Sequence, residues 1–266
     1  MKQILVAKKL NVSIAGKKIV HGIDLTIGAG SFHVLMGPNG SGKSTIAYAL
    51  AGHPHYSVTA AALNFAGKPL LKQTVDERAR NGLFLGMQYP QTIPGLSLSH
   101  VLPLAMQARF KNPKEKVTQH ITLAGRMAAA ATREREQLRS DLDTYLPILG
   151  MHEDMLYRSV NEGFSGGEKK KAEVLQMLAL KPKLAILDEP DSGVDVDALR
   201  KIAAAINKAH KAGTAILLIT HYNRILKYLK PDRIHILAGG KVVSSGTAAL
   251  AKKVEKEGYE GLIRKS

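Results

Sequence analysis

The chain opens on short, partly alternating apolar runs. Ile4-Leu5-Val6, Leu10 to Ile14 and Ile23 to Ile27 carry the period-two signature of half-buried strands. Gly16-Lys17 and Gly28-Ala29-Gly30 separate them, so the first ~30 residues read as β hairpins. Phe32 to Met36 is a continuous apolar run, and Thr45 to Ala51 follows it with helical character. Ser57 to Phe65 predicts a further antiparallel piece ending at Gly67-Lys68-Pro69, and Gly82 to Met87 a buried strand. Between about 96 and 158 the period changes. Leu98, Val101, Leu102, Ala105 and Met106 recur at helical spacing, as do Leu138, Leu142, Leu146 and Leu149. Asn112-Pro113 and Leu146-Pro147 punctuate this inserted helical stretch. Beyond Gly166 the pattern alternates. A helix over 166–180, a strand at Leu184–Leu187, a helix at Ala198–His210 and a strand at Ala215–Ile219 follow in turn. Such short β-branched-rich runs are those of buried parallel strands. Ile234–Leu237, the turn Ala238-Gly239-Gly240 and Lys241–Val243 predict a closing hairpin. A last helix runs from about Thr247 and stops at Gly258.

Composition narrows this α/β picture. The 266 residues are 45% hydrophobic, enough for a full core. No run approaches the roughly 18 apolar residues that cross a bilayer, and Met1 to Val6 lacks a leader's cleavage pattern. The expectation is a cytoplasmic chain without stable membrane association. With no cysteine, disulfides, thiol catalysis and thiolate metal ligation within the chain are excluded. His53 and His55 are close in sequence, but no acidic residue or third histidine accompanies them. The net charge is +16. Its lysines are spread along the chain (111, 114 and 116; 169–171; 181 and 183; 208 and 211; 252 and 253), and aromatics are only 5%. That argues against a stacking platform for nucleic acid and for an acidic protein partner.

Gly37-Pro38-Asn39-Gly40-Ser41-Gly42-Lys43-Ser44-Thr45 matches the phosphate-loop pattern between a strand and a helix. Its glycines let successive N–H groups turn toward phosphate oxygens, and the helix end behind it favours negative charge. Lys43 is placed to neutralise the β- and γ-phosphates, and the Ser44 hydroxyl to hold Mg²⁺. The run Leu184–Leu187 ends in Asp188-Glu189. Asp188 is a candidate for Mg²⁺, through water, and Glu189 for the base that polarises the attacking water. His221, after the next strand, can hydrogen-bond a γ-phosphate. Ser165-Gly166-Gly167-Glu168 opens a helix and forms a second anion-binding end. Two phosphate-binding ends but one acid pair raise the possibility that the second end serves another chain's nucleotide.

These segments, with Gln88, Pro190 and Ser192-Gly193-Val194-Asp195, resemble the ordered motif set of an ABC-type ATPase over nearly the whole chain. The resemblance implies one domain over 1–266, with a catalytic core of 1–87 and 165–247. A helical subdomain of about 88–164 is inserted and a helix of about 247–266 ends the chain. The core sheet would be mostly parallel, beside an antiparallel β subdomain. ATP with Mg²⁺ would lie between two copies. Lys43 and Ser44 of one would face Ser165, Gly166, Gly167 and Glu168 of the other, with Asp195 at the seam. Gln88 would join the Mg²⁺ shell and link it to the helical subdomain. Longer strings are similar to a narrower group, the SufC ATPases of iron–sulfur cluster assembly. They are Met87–Pro90 with Ile93-Pro94-Gly95, Arg158 to Lys171, Leu175-Gln176-Met177, Asp191 to Leu199, Thr220 to Leu226 and Glu257-Gly258-Tyr259. That likeness implies SufB-type and SufD-type scaffold partners. The segment 89–110 would be the lever. No Tyr or Phe lies near Ile14 to Lys18, where many transporter ATPases stack adenine. A membrane-transporter ATPase and a nucleic-acid-associated relative are the competing readings, the latter suggested by charge alone.

Overall fold

In the computed structural model, residues 2–110, 123–221 and 224–263 are described. Two long strands, β1 (Gln3–Ile14) and β2 (Lys17–Gly28), lead into β3 (Phe32–Met36) and α1 (Lys43–Ala51). Then come β4 (Tyr56–Thr59), β5 (Ala62–Phe65), β6 (Lys68–Pro69), α2 (Val75–Asn81) and β7 (Leu83–Gly86). The insertion holds β8 (Ile93–Ser97), α3 (Leu98–Phe110), α4 (Leu123–Leu149) and β9 (Ser159–Val160). The chain returns through α5 (Gly166–Leu180), β10 (Leu184–Asp188), α6 (Val196–Lys211) and β11 (Ala215–Ile219). It ends with β12 (Arg233–Ala238), β13 (Lys241–Gly246), α7 (Ala248–Glu257) and α8 (Glu260–Ile263).

The central sheet has the order β13-β12-β3-β11-β10-β7 and is parallel except for β13. Its inner strands are buried on both faces, which is why they read as continuous apolar runs. Period two still sorts them. Phe32, Val34, Met36, Ala185, Leu187, Ile216 and Leu218 pack on the face that α5 and α6 cover. Leu35, Leu184, Ile186, Leu217 and Ile219 pack on the face shared with α1 and the β1–β2 sheet. Each fully buried Leu or Ile contributes about 2 kcal/mol. The parallel strands all end at the same edge, and ligand sites of such sheets lie there.

Several expectations are refined. The first two apolar runs are one strand, β1, paired with β2, β4 and β5. A bulge at Lys8-Lys9 joins them: the register shifts between Ala7 and Leu10, and Lys9 takes φ 49°. The Lys9 N–H, diverted from the ladder, donates to Asp24 Oδ1 at 2.8 Å. The piece expected over 57–65 divides at Ala60-Ala61 into β4 and β5. Pro147 does not break the helix. It sits near the end of α4, where one lost N–H costs little, and the chain turns at Gly150 with φ 56°. The insertion also carries a small antiparallel sheet, β8 with β9, that apolar periodicity did not indicate. Gly258 ends α7, and α8 follows as a separate turn. Residues 111–122, including Lys111, Asn112, Pro113, Lys114 and Lys116, lie outside the described residues, as do Tyr222, Asn223 and 264–266. Among the described residues no helix is long and apolar enough to cross a membrane.

Candidate functional site

β3 delivers the chain to the phosphate loop and α1 carries it away. At Gly37 an added Cβ would lie 2.1 Å from the Leu237 carbonyl oxygen, so the loop closes on β12 only without a side chain. The Gly240 N–H donates to Ser41 O at 3.1 Å and pins the loop's far side to the β12–β13 turn. Gly40 and Gly42 take φ 76° and 103°, in the left-handed region that favours glycine. Gly42 is the N-cap of α1, which has no side-chain cap and no acid in its first turn. Its starting amides therefore face an environment that favours an anion. Lys43 Nζ donates to Gly37 O at 2.8 Å and Pro38 O at 3.0 Å. Burial lowers its proton affinity, while Glu189 and Asp188 raise it.

The acid pair ends β10. Both carboxyl oxygens of Asp188 are buried without a hydrogen-bond partner. Burial raises its pKa to about 6, and the Ser44 hydroxyl beside it pulls the other way. An unpartnered buried carboxylate next to a hydroxyl fits a hard divalent cation. Asp188 and Ser44 could hold one directly or through water. Glu189 takes φ 49°, a strained conformation for a residue with a side chain. Its N–H donates to Ile219 O at 2.9 Å, which ties the turn to β11. Its two carboxyl oxygens have different partners. Gln88 Nε2 donates to Oε2 at 2.7 Å, and His221 Nδ1 lies 3.0 Å from Oε1. An acid held between an amide and an imidazole can orient a water and accept its proton.

A cleft of about 570 Å³ joins the phosphate loop, Gln88, Glu189 and His221, while the buried Asp188 is not among its walls and reaches it through its neighbour Ser44. Asn39, Gly40, Gly42 to Thr45, Gln88, Glu189 and His221 line it, together with Ile14, Ile19, Tyr89 and Ser192. Ile14, at the end of β1, and Ile19, in β2, give it an apolar wall, and Tyr89, next to Gln88 in the chain, brings a ring to it. His53 and His55 lie elsewhere, in a ring cluster with Tyr48 and Tyr56.

Ser165 to Glu168 do not line this cleft. They form a capping box: Glu168 N–H donates to Ser165 Oγ at 3.2 Å, and Ser165 N–H to Glu168 Oε2 at 2.8 Å. These hydrogen bonds to Ser165 hold the Glu168 carboxyl below its usual range. An added Cβ on Gly166 would lie 3.4 Å from Gly193 O, so this end abuts the 192–195 turn. Asp195 caps α6 through Ala198 N–H at 2.7 Å. Single-chain geometry thus assembles the phosphate loop, Asp188, Glu189, Gln88 and His221, and leaves 165–168 and Asp195 apart from them.

Three buried polar groups near the site escaped sequence reasoning. Asp191 accepts from Thr220 Oγ1 at 2.9 Å, which braces the loop after Glu189 against the one before His221. Lys170 and Glu173 touch the backbone at 87–88. Their one sequence signal is spacing: both fall at helical intervals with Val174, Met177 and Leu178, on the buried face of α5.

A glycine-rich loop whose amides are free for an anion, an acid pair on the strand two places along and a helical insertion between them define a phosphate-loop ATPase domain. The ABC transporter family profile matches residues 20–192. A probable ABC transporter ATP-binding protein of Streptococcus pyogenes is 44% identical over 262 residues, covering 98% of this chain and 95% of that protein. The ATP-binding subunit of an ABC transporter has the same fold, with TM-score 0.76 at 23% identity over 98% of this chain and 99% of its own. The dimeric bacterial ABC transporter cassette MJ0796 gives TM-score 0.69 at 20% identity, over 91% of this chain and 98% of its own. The chain belongs to the ABC transporter ATP-binding family, as an ATP-binding, ATP-hydrolysing subunit.

Proposed function

We propose that this ATPase is the SufC-type subunit of a SufB- and SufD-type iron–sulfur cluster assembly complex, and that two copies close on ATP to drive its conformational change. One observation carries the catalytic part: Glu189 lies between Gln88 and His221 at the phosphate loop, while 165–168 stand outside the cleft. The first group is gathered for the chemistry, and the second, outside the cleft, is left to meet a nucleotide held by another copy. In this reading residues 37–45 hold the triphosphate, with Lys43 on the β- and γ-phosphates. Glu189 takes the proton of the attacking water as His221 steadies the γ-phosphate. Ser165 to Glu168 close over the phosphates in trans, with Asp195 at the seam. Ser44, Gln88 and Asp188, the last through water, would hold Mg²⁺, which neutralises charge developing on the phosphates. The cassette MJ0796, similar in fold, is dimeric.

The assembly-complex part rests on the long strings at 87–95, 158–171 and 191–199. Surface chemistry supports a docked protein there. Tyr89, Ile93 and Leu104 are 73%, 44% and 62% exposed. Beside them an apolar groove of about 540 Å³ runs between α1, α2, β7 and α3. The second reading, an ATPase subunit of a membrane transporter, is favoured by the naming of the streptococcal relative.

Capture of the chain from its own cell extract separates the two. Soluble scaffold proteins in the eluate support the first, and recovery of integral membrane proteins alone overturns it. Glu189→Gln tests the chemistry: turnover stops, ATP still binds, and a closed pair accumulates. Unchanged hydrolysis in that variant removes Glu189 from its role.

A further inference from the structure

Beneath Gln88 the chain buries two ionisable side chains away from solvent, Lys170 and Glu173, and burial pushes the Glu173 carboxyl up to about 7. Lys170 and Glu173, one turn apart on α5, are 4% and 7% exposed. Neither spends its charge on a surface partner. Lys170 Nζ donates to the carbonyls of Met87 and Gln88, at 2.7 Å each. Glu173 Oε1 accepts the Met87 N–H at 2.6 Å. Gly86 makes the approach possible, since a Cβ there would lie 3.0 Å from Leu187 Cδ2 and 3.3 Å from Glu173 Oε2. Desolvating two ions costs several kcal/mol each, and apolar packing could join a helix to a strand end without that cost. What the two side chains add is direction: three hydrogen bonds, the two from Lys170 charge-assisted, converge on two successive residues, Met87 and Gln88. The residue so held is Gln88, whose Nε2 reaches Glu189 Oε2 at 2.7 Å. The same helix begins with Ser165 to Glu168.

We propose that Lys170 and Glu173 are positioning residues for ATP hydrolysis, fixing the backbone at 87–88 so that Gln88 meets Glu189 in register with the first turn of α5. The pair acts through Gln88 and touches no substrate atom. A displacement near 1 Å in such a constellation costs about 100-fold in rate. The inference rests on the catalytic reading of Gln88 and Glu189.

The test is steady-state ATP hydrolysis by the full-length chain, with ADP affinity and melting temperature measured for each variant. Lys170→Met lowers kcat about 10- to 100-fold while KM and ADP affinity stay within about twofold, because the phosphate loop is untouched. Lys170→Arg keeps the donors and restores most of the rate. Glu173→Leu falls like Lys170→Met, whereas Glu173→Gln, which keeps an acceptor for the Met87 N–H, stays within about threefold of the parent. Wild-type kcat in folded Lys170→Met and Glu173→Leu overturns the proposal, and so does a loss of ADP affinity in step with kcat. If both apolar variants fail to fold, Gly86→Ala decides. It crowds Leu187 and Glu173, so a kcat drop of about tenfold with KM and ADP affinity unchanged supports the proposal only if Gly86→Ala combined with Leu187→Ala, which relieves the Leu187 contact, stays as slow. An unchanged kcat in Gly86→Ala, or full rescue in the double variant, overturns it. Glu189→Gln is the control. Active Glu189→Gln sinks the catalytic reading, while inactive Glu189→Gln beside fully active Lys170→Met sinks only the positioning role.

Discussion

Two helices, α1 and α5, begin at residues proposed to meet phosphate, and they treat their first-turn amides in opposite ways. Helix α1 starts at a left-handed glycine, with no side-chain cap and no acid in its first turn. Helix α5 starts at Ser165 with a complete capping box and a carboxylate, Glu168, over its amides. Every helix start leaves donors without intrahelical partners. Helix α1 is held instead by neighbours that need no capping side chain: Gly37 packed on Leu237, and Lys43 bonded to the loop's own carbonyls. Its donors remain for an anion. Helix α5 satisfies its own start, so its first turn is stable alone and adjustable on contact. The difference fits the proposed arrangement, in which one end grips the nucleotide and the other arrives with a second copy.

Gly37→Ala strikes α1's side hardest. A Cβ 2.1 Å from a carbonyl oxygen forces the loop off β12. ATP affinity, read by calorimetry, falls at least about 100-fold and overpacking removes about 3 kcal/mol of stability. Binding within tenfold of the parent would mean that the loop can relax and is not built by that contact.

Lys43→Met comes next. Losing a charged donor costs about 2 kcal/mol or more of phosphate binding, some 30-fold in ATP affinity. Because Lys43 is nearly buried on its own carbonyls, stability changes less than binding. A melting temperature that drops while affinity holds would reverse that order.

On the α5 side the effects are smaller and fall on stability first. Ser165→Ala removes the cap and costs about 1 kcal/mol in denaturant unfolding, while ATP binding to the single chain is unchanged. A loss of single-chain ATP affinity would place Ser165 in the cleft after all. Glu168→Gln has the smallest effect, a few tenths of a kcal/mol, since the exposed charge at the helix start is screened. Its sign with pH is fixed. The folded-state pKa is depressed, so the contribution is present above about 4.5 and disappears as pH falls through the folded value. The variant therefore shows a flatter stability curve on the acid side than the parent.

Much of the fold was legible because the central strands are buried on both faces. Phe32–Met36 and Ala215–Ile219 coincide with β3 and β11, and 166–180 with α5. Legibility failed where local pattern and pairing disagree. The bulge at Lys8-Lys9 looks like a break between strands, yet β2 pairs with both halves and holds them in one strand, with β5 on the first half and β4 on the second. β8 was missed because four of its five residues are exposed, so it carries no apolar alternation. In the site, Gly37 to Thr45 and Asp188-Glu189 could be found as spacings along the chain. Lys170 and Glu173 could not, because a charged residue on a helix reads as solvent-facing unless its partner is known. Here the partner is a peptide backbone more than eighty residues away.

By itself the sequence determined the chemistry available: a phosphate-loop pattern, an acid pair after a buried strand, a histidine after its neighbour, and a second glycine-rich helix start with its own cap. These depend on residue type and short spacing, which local backbone geometry converts directly into donors and acceptors. Tertiary structure alone decided which of them meet. Parallel pairing of β10 with β11 brings Glu189 to His221, and packing of α5 against the end of β7 sets Lys170 and Glu173 on the backbone at 87–88, beside the Gln88–Glu189 contact. It also keeps 165–168 out of the cleft, where their own capping box holds them. Such contacts span tens to hundreds of residues and are set by how sheet and helices bury their apolar faces, a long-range balance that short spacings do not encode.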